Sequence, residues 1–183
     1  SSDLDPIKQP VSTVAGEKRV NLTSCCCMSK GTANLQVTFE KNCYSPGEIA
    51  NVSLQLDNTQ SQLNNTRLNF SLKQKLHLRA GTHHFERLTT VVNRDLPGIP
   101  AGSMSDRKFT SLNLPPHQDG DFWALKAGNL EAYILNEKDA QGVMNNSTSG
   151  RLITSEYFLE VSCPMEGCCS TTPSIPIPIS IYC

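Results

Sequence analysis

A chain of 183 residues with a net charge of −1 and 18% charged residues can bury one sizeable core and has no global field to draw nucleic acid or a strongly acidic partner. No apolar run approaches the roughly 20 residues of a membrane-spanning helix. The first residues lack the basic, apolar and small-residue order of a secretory leader.

In chain order, residues 1–32 are polar, carry Pro6, Pro10, Gly16 and Gly31, and keep no sustained period. They are expected to form a linker or arm following a further domain upstream. From Ala33 onward a period of two sets in: Leu35, Val37 and Phe39 share one face, and Gln36, Thr38 and Glu40 the other, as in a half-buried strand. Tyr44-Ser45-Pro46-Gly47-Glu48 supplies a turn. Ala50, Val52, Leu54 and Leu56 then face inward on a second strand. After a polar loop over 57–66, a long strand places Phe70, Leu72, Leu76 and Leu78 on one side, interrupted by Gln74, with Lys73, Lys75, His77 and Arg79 on the other. Leu88, Thr90 and Val92 predict a fourth strand with Arg87 and Thr89 outward. A fifth spans 107–114, stopped by Pro115-Pro116, and a sixth is expected over 129–135. A helical turn is the most that 119–128 would hold, and 136–150 reads as a loop. A seventh strand spans 152–163 with Tyr157, Leu159, Val161 and Cys163 inward. The last run, Ile175 to Ile181, has four isoleucines on one face. Its Pro176 and Pro178, two apart, remove donors from the same lateral edge, so it is either an edge strand or a strand that pairs firmly on one side only. Alternating strands without a 3.6-residue period predict an all-β, immunoglobulin-like antiparallel sandwich over residues 33–183.

The order of these segments resembles the C-terminal domain of arrestin-domain proteins, above all the α-arrestins. Tyr44-Ser45-Pro46-Gly47-Glu48 is similar to the family's aromatic-x-Pro-Gly-Glu turn. Leu56-Asp57-Asn58-Thr59, Leu72-Lys73-Gln74, the strand from Lys108 to Pro115, Glu156 to Val161 and the closing Ile175 to Ile181 fall in the family's order. Cys25-Cys26-Cys27 sits where α-arrestins often carry cysteines. The resemblance implies an arrestin C-terminal-type sandwich working as a non-catalytic adaptor or scaffold in membrane-protein trafficking, endocytosis or signalling. It would be cytoplasmic, peripheral to endosomal or plasma membranes, with membrane cargo, receptor tails and trafficking machinery as partners. No Pro-Pro-x-Tyr motif is present: Pro115-Pro116-His117-Gln118 lacks the tyrosine. Ubiquitin-ligase recruitment through that motif is therefore not expected.

Chemistry-bearing residues are sparse. The histidines are His77, His83, His84 and His117. His83-His84 reads as a solvated hairpin bend, and no His-x-Glu, Gly-rich phosphate loop or Gly-x-Ser-x-Gly elbow occurs. Neither a catalytic residue, a cofactor nor a metal is assigned. Cys163, Cys168 and Cys169 would need Cys25 to Cys27 to complete a zinc site, and buried reduced thiols are the simpler expectation. Lys73, Lys75, His77 and Arg79 form a basic stripe by alternation. It is weighed as a solvated face against a site for acidic lipid headgroups or phosphorylated tails. Ile175, Ile177 and Ile179 mark a candidate edge-strand contact. Two other readings stand beside the adaptor: a retromer-like sorting-complex subunit of arrestin fold, and a secreted, glycosylated immunoglobulin-like adhesion domain. The second rests on the Asn-x-Ser/Thr sequons at Asn21, Asn51, Asn64, Asn69, Asn145 and Asn146.

Overall fold

The computed structural model describes residues 11–24, 28–116, 147–167 and 170–182. These form strands β1 (Val14–Ser24), β2 (Met28–Phe39), β3 (Cys43–Tyr44), β4 (Ile49–Asp57), β5 (Arg67–Ala80), β6 (His83–Pro97), β7 (Lys108–Asn113), β8 (Thr148–Ser149), β9 (Ile153–Ser162) and β10 (Ser174–Ile181). They assemble as a four-stranded sheet in the order β1-β2-β4-β7 and a six-stranded sheet in the order β3-β10-β9-β5-β6, with β8 beside β9. All ladders are antiparallel except the short parallel contact of β10 with β3.

The alternation read from the sequence is the packing plan. Leu35, Val37, Phe39, Ala50, Val52, Leu54 and Leu56 of one sheet are buried against Phe70, Leu72, Tyr157, Leu159, Val161 and Ile181 of the other. The Phe39 and Phe70 rings meet with centroids 5.9 Å apart, within the range in which tilted rings attract. Gln74, the polar break in the inner row of β5, is accommodated by donating to the Ser155 hydroxyl (2.9 Å) and the Tyr157 hydroxyl (3.1 Å).

Two expectations are corrected. Residues 14–24 and 28–32 are not a linker: 14–24 form β1, paired along β2 from Val14↔Phe39 to Ser24↔Met28, and 28–32 begin β2. The pattern hid this strand because its even-numbered row contains Gly16 and Lys18 among Val14, Val20 and Leu22. Gly16 packs under β10 so closely that a Cβ there would lie 2.8 Å from Ile175 Cγ2. The second correction concerns β6. Its pairing with β5 shifts register between Leu72↔Val92 and Lys73↔Thr90, leaving Val91 as the extra residue of a bulge. One inserted residue inverts side-chain parity. Leu88 is therefore 62% exposed, Val91 is buried, and Arg87 and Thr89 are half-buried on the inner side. The expected strand at 129–135, the helical turn at 119–128 and most of the 136–150 loop lie outside the described residues; the end of that loop contributes β8.

Loops at the end where β5 begins are fixed by buried polar groups. Asn58, fully buried, donates from its amide to Leu63 O (2.9 Å) and Pro100 O (3.2 Å). Gly31 sits at the irregularity of β2 with φ 95°, and a methyl group there would run into the Gln60 carbonyl oxygen. This close approach lets Thr32 N–H donate to Gln60 O (3.1 Å) and Gln62 N–H to Lys30 O (2.9 Å). At the other end, Ser45-Pro46-Gly47-Glu48 closes with Glu48 N–H on Ser45 O (3.2 Å). Its third residue, Gly47, has φ 81°, the geometry of a type II turn. The Glu48 carboxylate accepts from Lys41 Nζ (2.9 Å) and from Ser45 N–H (2.8 Å). These two donors, Lys41 first, hold its pKa below the ordinary value. Lys41 also lies 4.8 Å above the ring of buried Tyr44.

Two measurements check this account. Gly31→Ala is expected to destabilise the domain by about 3 kcal/mol in urea unfolding, combining positive-φ strain with a backbone clash. Glu48→Gln is expected to cost under about 1 kcal/mol at neutral pH, since the pair is partly exposed. Because the folded-state pKa is depressed, the stabilisation is complete above the unfolded value and is lost as pH falls through the folded one. The gap between wild type and Glu48→Gln should thus be widest above the ordinary glutamate value of 4.5 and close below it.

Candidate functional site: outer faces and edges of the sandwich

With the interior filled by side chains, the chemistry available to a partner lies on the outside. The predicted stripe is real in its placement: Lys73, Lys75, His77 and Arg79 alternate along the outer face of β5. The register, however, brings carboxylates to it. Lys73 Nζ pairs with Glu160 (2.9 Å), Lys75 Nζ with Glu86 (3.8 Å), and His77 Nδ1 also reaches Glu86 (3.0 Å). Arg79 Nε reaches His84 Nδ1 (3.4 Å). An anion arriving at this face competes with these neighbours, most weakly at the Arg79 end. Across the same hairpin, His83 and His84 follow the turn at Gly81-Thr82 and are exposed, as the sequence indicated.

Ile175, Ile177 and Ile179 are 6–9% exposed and belong to the core, so their side chains offer no outer contact. Their backbone groups are committed as well. Ser180 N–H donates to Asn42 O (2.9 Å) and Tyr182 N–H to Tyr44 O (3.1 Å), which shows that even-numbered amides of β10 point away from β9. At the next two even positions stand Pro176 and Pro178. From Pro176 to Tyr182 the outward donors on this side are thus either paired with the β3 segment or removed by proline.

Two surface concavities formed by described residues are notable. A small polar pocket of about 120 Å³ is lined by Arg19, Thr32, Asn34, Asp57 and Gln60. Arg19 Nη2 spans it to Thr32 Oγ1 (3.3 Å) and Gln60 Oε1 (3.1 Å). The Asp57 carboxyl is held below its ordinary pKa, first by the Thr59 hydroxyl. An open groove of about 590 Å³ borders β4 and β7, with Asn51, Ser53, Arg94 and the 79%-exposed Phe109 among its walls. Arg94 Nη1 donates there to Ser111 O (3.0 Å). Neither concavity brings a nucleophile, a base and an orienting group together.

Cys163 is buried, and burial pushes its thiol up to about 12. Cys43, half-buried, is likewise raised by burial. Thiols so shifted are poor nucleophiles. Cys25, Cys26, Cys27, Cys168, Cys169 and Cys183 lie outside the described residues, as do His117, Asn145 and Asn146. Among the described sequons, three amides are engaged: Asn51 with Glu40 (3.0 Å), Asn64 with Glu166 (2.9 Å) and Asn69 with Asp95 (2.7 Å). The sequence missed the buried loop hub Asn58; its polar surroundings gave no signal of burial.

The relative named arrestin domain-containing protein 17, from Caenorhabditis elegans, is 28% identical over 115 residues, covering 61% of this chain and 26% of that protein. The chain therefore spans about a quarter of the length of that relative. The solved sporulation control protein Spo0M of Bacillus subtilis superposes with a TM-score of 0.53 at 13% identity, over 82% of this chain and 49% of the other; that likeness concerns the fold alone. Residues 29–183 match the family described as arrestin (or S-antigen), C-terminal domain. The sandwich, its Pro-Gly-Glu turn and this match across most of the sequence agree: the chain belongs to the arrestin C-terminal domain family.

Proposed function

We propose that this domain is a non-catalytic adaptor that binds protein partners in membrane-protein trafficking or signalling. The observation that carries the reading is the family match over residues 29–183, on a sandwich whose packed interior leaves recognition to outer faces and strand edges. Membrane cargo or receptor tails, and the machinery that sorts them, are the partners this reading implies. Its place would be cytoplasmic, at the periphery of endosomal or plasma membranes. Among the described residues no helix is long and apolar enough to cross a bilayer. A further arrestin-type domain upstream of residue 1 belongs to the same proposal.

Within it, the Lys73–Arg79 stripe is the candidate contact for acidic lipids. Its internal ion pairs make that contact weak, because headgroups must displace Glu86 and Glu160. Flotation with phosphatidylcholine vesicles containing a phosphatidylinositol bisphosphate should show salt-sensitive binding, reduced up to about thirtyfold by the pair Lys75→Gln and Arg79→Gln, at roughly 1 kcal/mol for each of the two charges removed. Binding unchanged by that pair would remove the stripe from the account.

The rival readings separate in one purification from native cells. A transient adaptor retains its partners in less than equimolar amounts and loses them in salt. A retromer-like subunit stays in a stoichiometric complex through gel filtration. Glycan mass on Asn51, Asn64 or Asn69 would instead favour the secreted adhesion domain. The engaged amides at those positions speak for bare asparagines.

A further inference from the structure

Several strand edges of the sandwich are protected. β10 carries Pro176 and Pro178. On β7 the Ser111 carbonyl is taken by Arg94 (3.0 Å). β1 runs Glu17-Lys18-Arg19 along its length, and Lys18 Nζ reaches across to Ser174 O (3.2 Å). Prolines and charges of this kind discourage unwanted pairing.

The distal half of β6 has an open edge. Arg79 N–H donates to Leu152 O (2.8 Å), so odd-numbered residues of this part of β5 bond to β9 and even-numbered ones to β6. The β6 partners of that even series are His83, Phe85, Arg87 and Thr89. The N–H and C=O groups of His84, Glu86 and Leu88 therefore point away from β5. Among the described residues β6 ends the sheet on this side. The stretch 83–90 holds neither proline nor glycine.

This edge is complementary to itself. A second copy can add its own β6 antiparallel about a two-fold axis. The outward groups then bond only where even-numbered residues face even-numbered ones. With the axis at Glu86, two carboxylates oppose each other, and with the axis at Arg87, two guanidinium groups do; like charges so placed are destabilising. With the axis at His84, Glu86 faces Thr82. With the axis at Phe85, His84 faces Glu86 of the second copy, and the pair occurs twice.

Both side chains can take up that contact. His84 Nδ1 accepts from Arg79 Nε (3.4 Å), which leaves Nε2 as the donor. Glu86 is exposed. Its Oε1 meets His77 (3.0 Å) and its Oε2 lies 3.8 Å from Lys75, so the carboxylate keeps lone pairs for a further donor. On the inner face, the same register sets the two Phe85 side chains opposite each other at a non-hydrogen-bonded position, the closer kind. Ile153, Leu78 and Phe85 are register neighbours, with Phe85 38% and Ile153 51% exposed. Their apolar row would run unbroken from one copy into the other. Arg87 is already engaged in its own chain and is not called on. Arg94 meets β7 beyond the bulge at Val91, so the four-stranded sheets of the two copies lie towards opposite ends of the joined strands.

We propose that two copies of this domain associate through the edge of β6, pairing residues 82–88 antiparallel about a two-fold axis at Phe85. This goes beyond the adaptor reading and does not depend on it. Backbone pairing joins the two six-stranded sheets, and the two His84–Glu86 contacts set the register.

Sedimentation velocity of the whole chain from about 10 μM to 1 mM, the range suited to a small and transient interface, should show a monomer–dimer equilibrium. Hydrogen exchange at the amides of His84, Glu86 and Leu88 should slow in the dimer and recover on dilution. His84→Glu and Glu86→Lys each abolish both complementary contacts, and each alone should weaken the dimer about tenfold or more. Mixed in equal amounts, the two variants should pair with each other to within about threefold of wild type, because the two carboxylates of one chain then face the imidazole and the ammonium of the other. A misfolded variant could not produce that rescue. A wild-type chain still monomeric at the top of that range would overturn the proposal, as would slow exchange of those amides at high dilution. A dimer indifferent to both substitutions, or folded variants that fail to rescue each other, would overturn it equally.

Discussion

Each long strand of this domain must hide one of its two faces, and stacking the sheets so that the hidden faces meet decides what else the molecule can do. Burying an apolar side chain is worth about 1.5–3 kcal/mol, and the rows of β2, β4, β5, β9 and β10 supply the apolar groups that meet between the sheets. Such an interior is close-packed. Even its polar member, Gln74, is tied to Ser155 and Tyr157. On the adaptor reading, recognition falls to outer faces, loops and edges, a reading that comes from the family and not from the fold alone.

The edges follow from the same geometry. A two-residue period sends successive backbone amides to opposite sides of a strand, so the parity of a residue decides whether its N–H serves the sheet or the solvent. In β10 the solvent-directed positions are prolines. In distal β6 they are His84, Glu86 and Leu88. The bulge at Val91 separates this stretch from the remainder of β6, where parity is reversed and Arg94 turns to the neighbouring β7 edge. One extra residue thus sets which face of β6 is buried.

Much of this was legible in the sequence, and the failures have physical causes. β4, β9, β10 and β2 from Ala33 onward were readable because their inward rows are unbroken there; the start of β2 was not, because Ser29 and Gly31 interrupt its row. The Pro46-Gly47 turn was readable because its second residue suits proline and its third requires a positive φ. β1 escaped because Gly16 is needed for contact with Ile175 and so lowers the apolar signal at the point of closest packing. The phase of β6 escaped because a bulge leaves no mark in residue type. The basic stripe was placed on one face by alternation, but its neutralisation by Glu160 and Glu86 depends on inter-strand register, which one strand's pattern does not contain. Asn58 looked like a loop residue because nothing local shows that its amide is enclosed by two other segments.

The claim beneath all of this is that β1 and β10 close the sandwich face to face at one side. In a methyl-labelled sample, the contact between the Gly16 α-protons and the Ile175 methyl groups can be read directly as a cross-sheet nuclear Overhauser effect. The account predicts a strong cross-peak, together with slow exchange of β1 amides that pair with β2. An absent cross-peak, with residues 14–24 exchanging at random-coil rates, would contradict it.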